Sequence, residues 1–81
     1  MIVEYRVELI YPAALLDQPL LYGLIHNFDV QPNILEARVG AAEGWLLLAV
    51  RGEELQLLQG LEWLRQQGVQ VQVQREREEE R

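Results

Sequence analysis

The 81-residue chain contains no cysteine, serine, threonine or lysine. Without these hydroxyl and thiol groups, the nucleophile triads of acyl transfer cannot be built, and without lysine neither a Schiff base nor a P-loop can form. The missing cysteines also exclude disulfide bonds and thiolate metal sites. The composition therefore predicts a protein that is not an enzyme, with no catalytic residue, no bound metal and no cofactor.

Positive charge is also scarce, since seven basic residues stand against 13 acidic ones and the net charge is −6. All seven are arginines, scattered along the sequence. Nucleic acids and anionic membranes attract clustered cations, so neither is a predicted partner. No apolar run approaches the roughly 20 residues that cross a bilayer, and no signal-peptide pattern follows Met1. We predict a cytoplasmic protein without membrane insertion.

Four segments alternate between apolar and polar residues, as half-buried strands do. They are Val3–Leu9, Asn33–Val39, Trp45–Arg51 and Val69–Gln74. Their predicted inward residues are Val3, Tyr5, Val7, Leu9, Leu35, Ala37, Val39, Leu46, Leu48, Val50, Val69, Val71 and Val73. The third segment is apolar on both faces, which is typical of a central strand.

Two further segments have apolar residues at helical spacing. The first takes Pro19 into its first turn, with Asp17 or Gln18 as the cap. The second ends at Gly68 and contains Gly60, which is predicted to permit close approach to the sheet. The predicted buried stripes are Leu21, Leu24, Ile25 and Phe28 in the first helix and Leu57, Leu61 and Leu64 in the second.

The order of elements is βαββαβ, and right-handed crossovers then give a ferredoxin-like α+β fold. The predicted sheet is antiparallel and four-stranded in the order 4-1-3-2, with both helices on one face. Residues 1–74 form this domain. Residues 75–81, which contain only arginine and glutamate, are predicted to be a charged flexible tail.

The sheet face without helices is predicted to be polar on the first and last strands and apolar on the other two. Ile34, Trp45 and Leu47 supply the apolar half. Such a patch on a small domain usually marks a partner surface. We therefore predict a homodimer across the second and third strands, with these three residues in the interface.

Asp17, Gln18, Asn33 and Arg38 are the candidate ligand-binding residues near this edge. Side-chain amides and free helix N–H groups bind small zwitterions, and arginine pairs with a carboxylate in bidentate fashion. A structural reading is also open for each. Asp17 or Gln18 would cap the helix, Asn33 would begin its strand with a turn-like hydrogen bond, and Arg38 would pair with Glu36.

Short motifs in order along the chain resemble the NIL domain family. They are Gln18-Pro19-Leu20, Asn33-Ile34-Leu35, Gly44 before an apolar strand, Gly52-Glu53-Glu54 before a helix, and the Leu61–Val69 segment. The resemblance covers about Val3 to Gln74 and includes the Asn-Ile-Leu triplet for which the family is named. It implies an ACT-related, ferredoxin-like fold, found as the regulatory tail of methionine-importer ATPases and fused to iron–sulfur ferredoxins.

The resemblance also implies a function, because in the importers such a domain binds methionine and inhibits transport. These domains pair, and the ligand lies near the contact between them. The first functional hypothesis is therefore a dimeric regulatory module that senses a small amino-acid-like ligand of the methionine class at or near its dimer interface. The alternative is an adaptor that docks an unidentified protein on the apolar half of the sheet, without a small ligand.

Overall fold

The structure, a computed structural model, describes residues 1–78. Its elements are β1 (Ile2–Pro12), α1 (Leu20–Asn27), β2 (Val30–Val39), β3 (Glu43–Glu53), α2 (Glu54–Gln66) and β4 (Gln70–Glu78), with one turn of 3-10 helix at Ala13–Leu15. The strands form one antiparallel sheet in the order β2-β3-β1-β4. The predicted ferredoxin-like α+β arrangement is confirmed.

The core lies between the helices and the sheet face that carries the inward residues of β1. Alternate residues of this central strand are buried, namely Val3, Tyr5, Val7, Leu9 and Tyr11. The predicted stripe of α2 is buried as well. In α1, however, Leu20 and Leu24 are the buried residues, and Ile25 is 51% exposed. The prediction for Ile25 is wrong because this eight-residue helix turns Leu20 and Leu24, four positions apart, inward.

The two helices touch through glycines. A Cβ added to Gly60 would lie 2.7 Å from Leu24 Cδ1, and one added to Gly23 would lie 2.7 Å from Trp63. The close approach at Gly60 is therefore made to α1, and the prediction that it is made to the sheet is wrong. Leu57, Leu61 and Leu64 already occupy the core-facing side of α2, and Gly60 lies beside them.

A β-bulge in β2 changes which residues share a face. Ile34 lies opposite Leu48, and the next pair is Glu36 opposite Leu47, so that Leu35 is an extra residue. Because cross-strand partners share a face, Ile34 lies on the helix side of the sheet with Leu48. The prediction that Ile34 lies beside Trp45 and Leu47 is wrong, since the alternation was read without the bulge.

The helix side of β2 is largely uncovered. Leu35 and Val39, predicted to be core residues, are 42% and 78% exposed, and Ala37 is exposed too. The prediction fails because β2 is the edge strand and only its first residue, Val30, is buried. We call the exposed apolar residues Ile34, Leu35 and Val39 the β2 strip.

A second bulge lies in β4. Val73 lies opposite Val7 and Arg75 lies opposite Arg6, so that Gln74 is the extra residue. Residues 75–78 continue the strand, and the tail predicted from residue 75 is wrong over this range, because these residues pair with residues 3–6 of β1. Residues 79–81 of the predicted tail lie outside the described part of the chain.

Candidate functional site

A pocket of about 260 Å³ lies where the β2–β3 hairpin meets the segment between β1 and α1. It is lined by Tyr11, Leu16, Gln18, Pro19, Leu20, Leu21, Tyr22, Arg38, Val39, Gly44, Trp45 and Leu46. Its volume is slightly below the roughly 300–1,000 Å³ of pockets for drug-sized ligands. The pocket therefore suits a small molecule, and Val39 of the β2 strip lies on its rim.

Local backbone structure builds the wall opposite the hairpin. Pro12 ends β1, and the following 3-10 turn is closed by a hydrogen bond from Leu16 N–H to the carbonyl of Ala13, 3.2 Å long. This turn carries Leu16 across to β3, where a Cβ added to Gly44 would lie 2.6 Å from Leu16 Cδ2. The missing side chain of Gly44 is what lets Leu16 reach this position.

The pocket is apolar with a few polar groups at its walls. Leucine, valine and proline supply half of the twelve lining residues, while Tyr11, Tyr22 and Gln18 add two phenols and one amide. Burial raises the pKa of the Tyr11 phenol above its ordinary value of 10.0, so it stays neutral at physiological pH. Among the described residues that line the pocket, none carries a carboxylate.

Arg38 and Trp45 border the pocket but direct their side chains to the other face of the sheet. They lie opposite each other across β2 and β3, and the Arg38 guanidinium lies 5.1 Å from the centroid of the Trp45 ring. Arg38 also donates a 3.2 Å hydrogen bond to Glu36, and the Trp45 indole N–H donates to Glu8. The predicted pairing of Arg38 with Glu36 is thus present.

The structure brings together two of the four candidate ligand-binding residues. Gln18 and Arg38 both line the pocket. Asp17 is exposed beside Gln18 and outside the lining. Asn33 lies opposite Ala49, roughly 15 Å along β2 from Arg38 at the ordinary rise of a strand.

The cap of α1 also differs from the prediction. Pro19 is the N-cap residue, and no side chain donates to or accepts from the cap position. Neither Asp17 nor Gln18 therefore caps the helix. A backbone group replaces the side-chain cap, because the carbonyl of Gln18 accepts a 2.8 Å hydrogen bond from Leu20 N–H. The Gln18 side chain is left exposed at the pocket.

The three candidate interface residues do not form one patch. Trp45 and Leu47 are half-buried on the open face, which is the face of the sheet without helices. Ile34 lies on the helix side. Because Arg38 and Glu8 contact Trp45, the open face is less apolar than the sequence predicts. The uncovered apolar surface of this edge is instead the β2 strip.

Sequence reasoning missed Leu16, Tyr11 and Leu46 as pocket residues. Their proximity depends on the 3-10 turn, for which the segment between Pro12 and Gln18 gives no periodic signal. One signal was available, since Gly44 stands at the start of an apolar strand and glycine in a strand often marks close approach.

The described part of the chain has neither a metal-binding cluster nor a membrane-spanning helix. The range 1–77, over which side chains are described, contains no group of three or more His, Cys, Asp or Glu side chains placed to hold a metal ion. None of the helices within it is long and apolar enough to cross a bilayer.

Three comparisons relate the chain to known proteins. A family model described as the NIL domain matches residues 5–73. The methionine import ATP-binding protein MetN of Streptococcus pneumoniae is 37% identical over 71 residues, which are 83% of this chain and 20% of that protein. MetN of Coxiella burnetii is 36% identical over 61 residues, 70% of this chain and 17% of that protein. The chain thus spans about a fifth of the length of these relatives.

Two solved structures share the fold. The C-terminal domain of an ABC transporter ATP-binding protein from Enterococcus faecalis superposes with a TM-score of 0.76 at 22% identity, covering 86% of this chain and 82% of that one. The de novo designed protein Foldit4 superposes with a TM-score of 0.60 at 14% identity, covering 99% and 100%. At these identities the likeness concerns the fold alone.

Proposed function

Because the chain belongs to the NIL domain family, we propose that it is a non-enzymatic regulatory module that pairs with a second copy and binds a small amino-acid-like ligand. The second copy packs along the edge of β2. The ligand occupies the pocket at the end of that edge, at or near the contact between the two copies.

One observation carries the proposal, namely that an uncovered apolar strip leads directly to an apolar pocket. Val39 belongs to both the β2 strip and the pocket wall, and it is 78% exposed. An edge strand with free backbone hydrogen-bonding groups and exposed apolar side chains favours pairing with another chain. A second copy on this edge would cover the strip and close the open side of the pocket.

The class of ligand follows from the pocket and from the relatives. The apolar walls favour a ligand with an apolar side chain, and the volume of about 260 Å³ limits its size. The relatives are named for methionine import, and methionine has such a side chain. We therefore place methionine first among the ligands to be tested.

The polar end of the ligand is assigned to the loop before α1. The Gln18 amide lines the pocket, and Asp17 beside it is the carboxylate that we assign to the ligand's ammonium group. Arg38 borders the pocket with its side chain on the other face of the sheet, so it must leave Glu36 and Trp45 and turn around the edge of β2 to pair with the ligand's carboxylate. Asn33 is not part of the proposed site because of its distance along β2.

Light scattering and sedimentation on matched variants test the dimer. Leu35→Glu places a charge in the β2 strip, and we expect a monomer at concentrations where the unmodified chain is dimeric. Leu55→Glu is the control, because Leu55 is 63% exposed on α2 and lies outside the strip. A monomeric unmodified chain at high micromolar concentration would exclude the dimer.

Calorimetry with methionine and the other common amino acids tests the ligand. We expect methionine to bind and Gln18→Ala to weaken it, while Gln59→Ala on the exposed surface of α2 leaves it unchanged. Absence of binding by every amino acid at millimolar concentration would refute the sensing function.

The second candidate is the adaptor, in which an apolar side chain of a partner protein enters the pocket. It is favoured by the absence of a carboxylate among the described lining residues, since an apolar side chain carries no ammonium group that would need one. Affinity capture with the unmodified chain and with Val39→Glu, at the rim of the pocket, separates the two functions. A specific partner lost on this substitution, with no amino acid bound, would favour the adaptor.

Both functions fit the cytoplasm, because the relatives are named for binding ATP, an intracellular nucleotide.

A further inference from the structure

Four of the seven arginines, scattered in the sequence, lie together on the open face of the sheet. Arg6 is on β1, Arg51 on β3, and Arg75 and Arg77 are on β4. The β4 bulge creates this cluster. Without the extra residue Gln74, the alternation of β4 would turn Arg75 and Arg77 to the helix side.

The register defines the arrangement of these side chains. Arg6 lies between Arg75 of β4 and Ala49 of β3, and Glu4 lies between Arg77 and Arg51. Because Ala49 is small, a shallow depression remains above it. Glu4, Arg6, Arg75 and Arg77 form its sides.

The cluster is electrostatically unbalanced. Arg6 and Arg75 lie directly opposite each other, and like charges in this position destabilise a strand pair. Among the ion pairs between described side chains, those of residues 1–77, none involves Arg6, Arg75 or Arg77. All three side chains are exposed, so their guanidinium groups are able to turn toward one bound anion.

We propose that Arg6, Arg75 and Arg77 form a binding site for the phosphate group of a small molecule. Three arginines and one glutamate around the depression leave a local charge of +2, which matches a phosphate dianion. Several arginines placed within reach of one group suit the multiple acceptor oxygens of a phosphate, whereas one arginine satisfies a carboxylate.

The rest of the molecule restricts this ligand to a small one. The net charge of −6 repels long polyanions, which lose affinity without a broad basic surface. The described residues lining the depression include no aromatic ring on which a nucleic-acid base could stack. The site faces away from the pocket described above, so the two proposals are independent.

Titration by two-dimensional NMR tests the site. Orthophosphate and adenosine monophosphate are added separately at about 10 mM ionic strength, where the Debye length is about 30 Å. We expect saturable shifts of the Arg6, Arg75 and Arg77 signals with orthophosphate, and acetate is the monovalent control. Tighter binding of adenosine monophosphate would identify an organic phosphate as the source, and equal or weaker binding would identify free phosphate.

Matched variants separate a site from a general effect of charge. Arg75→Gln and Arg77→Gln are each expected to weaken phosphate binding about tenfold, the effect of losing one charged hydrogen bond. Arg65→Gln removes the same charge from α2 and is expected to have little effect. Glu4→Gln removes the negative charge from the depression and is expected to tighten binding.

Three outcomes would overturn the proposal. These are no saturable shift with either phosphate, equal shifts with acetate, or an equal loss of affinity in Arg65→Gln and Arg75→Gln. Circular dichroism checks that each variant is folded. If one β4 variant is unfolded, the other β4 variant and the gain expected from Glu4→Gln decide the question.

Discussion

Leu16 packs on Gly44 so closely that a Cβ added to this glycine would lie 2.6 Å from Leu16 Cδ2. The contact joins the loop before α1 to the start of β3 and forms part of the pocket wall. Leu16 is 37% exposed and the contact is made by the end of its side chain, so it is able to move outward at small cost. A methyl group at Gly44 would therefore change the pocket more than the fold.

Gly44→Ala is expected to weaken ligand binding while the chain remains folded. The free energy of unfolding should fall by only about 1 kcal/mol, the lower end of the range for an overpacked contact. Calorimetry and denaturant unfolding measure the two effects. Gly40→Ala is the control, because the nearest atom to its added Cβ is 3.5 Å away. Equal affinity in the two variants would show that Leu16 does not shape the binding site.

Gly60→Val is expected to lower the free energy of unfolding by about 2 kcal/mol, since overpacked cores lose roughly 1–3 kcal/mol. The added atoms would meet Leu24, which is only 1% exposed and cannot move into solvent. Gln59→Val puts the same side chain on the exposed face of α2 and should cost about 0.5 kcal/mol or less. Urea denaturation measures both, and similar values for the two variants would contradict close packing of the helices at Gly60.

Glu8→Ala is expected to lower the free energy of unfolding by about 1.5 kcal/mol, because a hydrogen bond to a charged group contributes about that much. The lost bond is the one that the Trp45 indole donates, in a partly buried position. Glu62→Ala removes an exposed carboxylate that pairs with Arg65 at 3.5 Å, and exposed pairs contribute about 0–1 kcal/mol. Thermal unfolding that ranks Glu62→Ala as the more harmful change would refute the prediction.

Stability is expected to decline in alkaline solution through Tyr5 and Tyr11. Burial, the negative charge of Glu76 and the hydrogen bond to Glu54 raise the pKa of Tyr5 above 10.0, and burial raises the pKa of Tyr11. A raised pKa in the folded state stabilises the fold fully below the unfolded value and loses that contribution as the pH rises through the folded value. The decline therefore begins near pH 10.0 and continues upward.

Urea unfolding at a series of alkaline pH values measures this decline. Tyr5→Phe and Tyr11→Phe should each make the loss of stability above pH 10.0 less steep, because one ionisable group is removed. An unchanged slope in both variants would show that these phenols titrate alike in the folded and unfolded states.

Much of the fold could be predicted because regular alternation is a strong signal. Val3 to Leu9 alternates without interruption in the central strand, and Leu57, Leu61 and Leu64 repeat at helical spacing with their predicted burial. Such patterns depend on each residue's own polarity and on the period of one element.

The two edge strands were predicted less well, because each contains a bulge. The extra residues Leu35 and Gln74 reverse the alternation, and no feature of their own side chains marks them as unpaired. Burial at Leu35 and Val39 also depends on whether another element covers the edge, which the alternation of the strand itself does not encode. The sequence therefore predicts which residues are apolar on β2 but not that they are exposed.

The candidate site was predicted in part for a similar reason. Gln18 was singled out by its position before the first helix, and it does line the pocket. Asn33 was included because it begins the predicted strand, yet β2 begins at Val30 and carries Asn33 away from the pocket. Proximity of this kind depends on where along the sheet each residue pairs, which a strand pattern alone does not determine.

The bulge in β2 also limits how this edge can polymerise. Pro32 has no N–H to donate, and the extra residue Leu35 disrupts the spacing of hydrogen-bonding groups, so Glu36–Val39 is the longest stretch with neither a proline nor an irregular register. Fibrils require long, flat strand edges that stack indefinitely. A strand interrupted in this way accepts a neighbour over one short segment, which protects an apolar edge from uncontrolled aggregation.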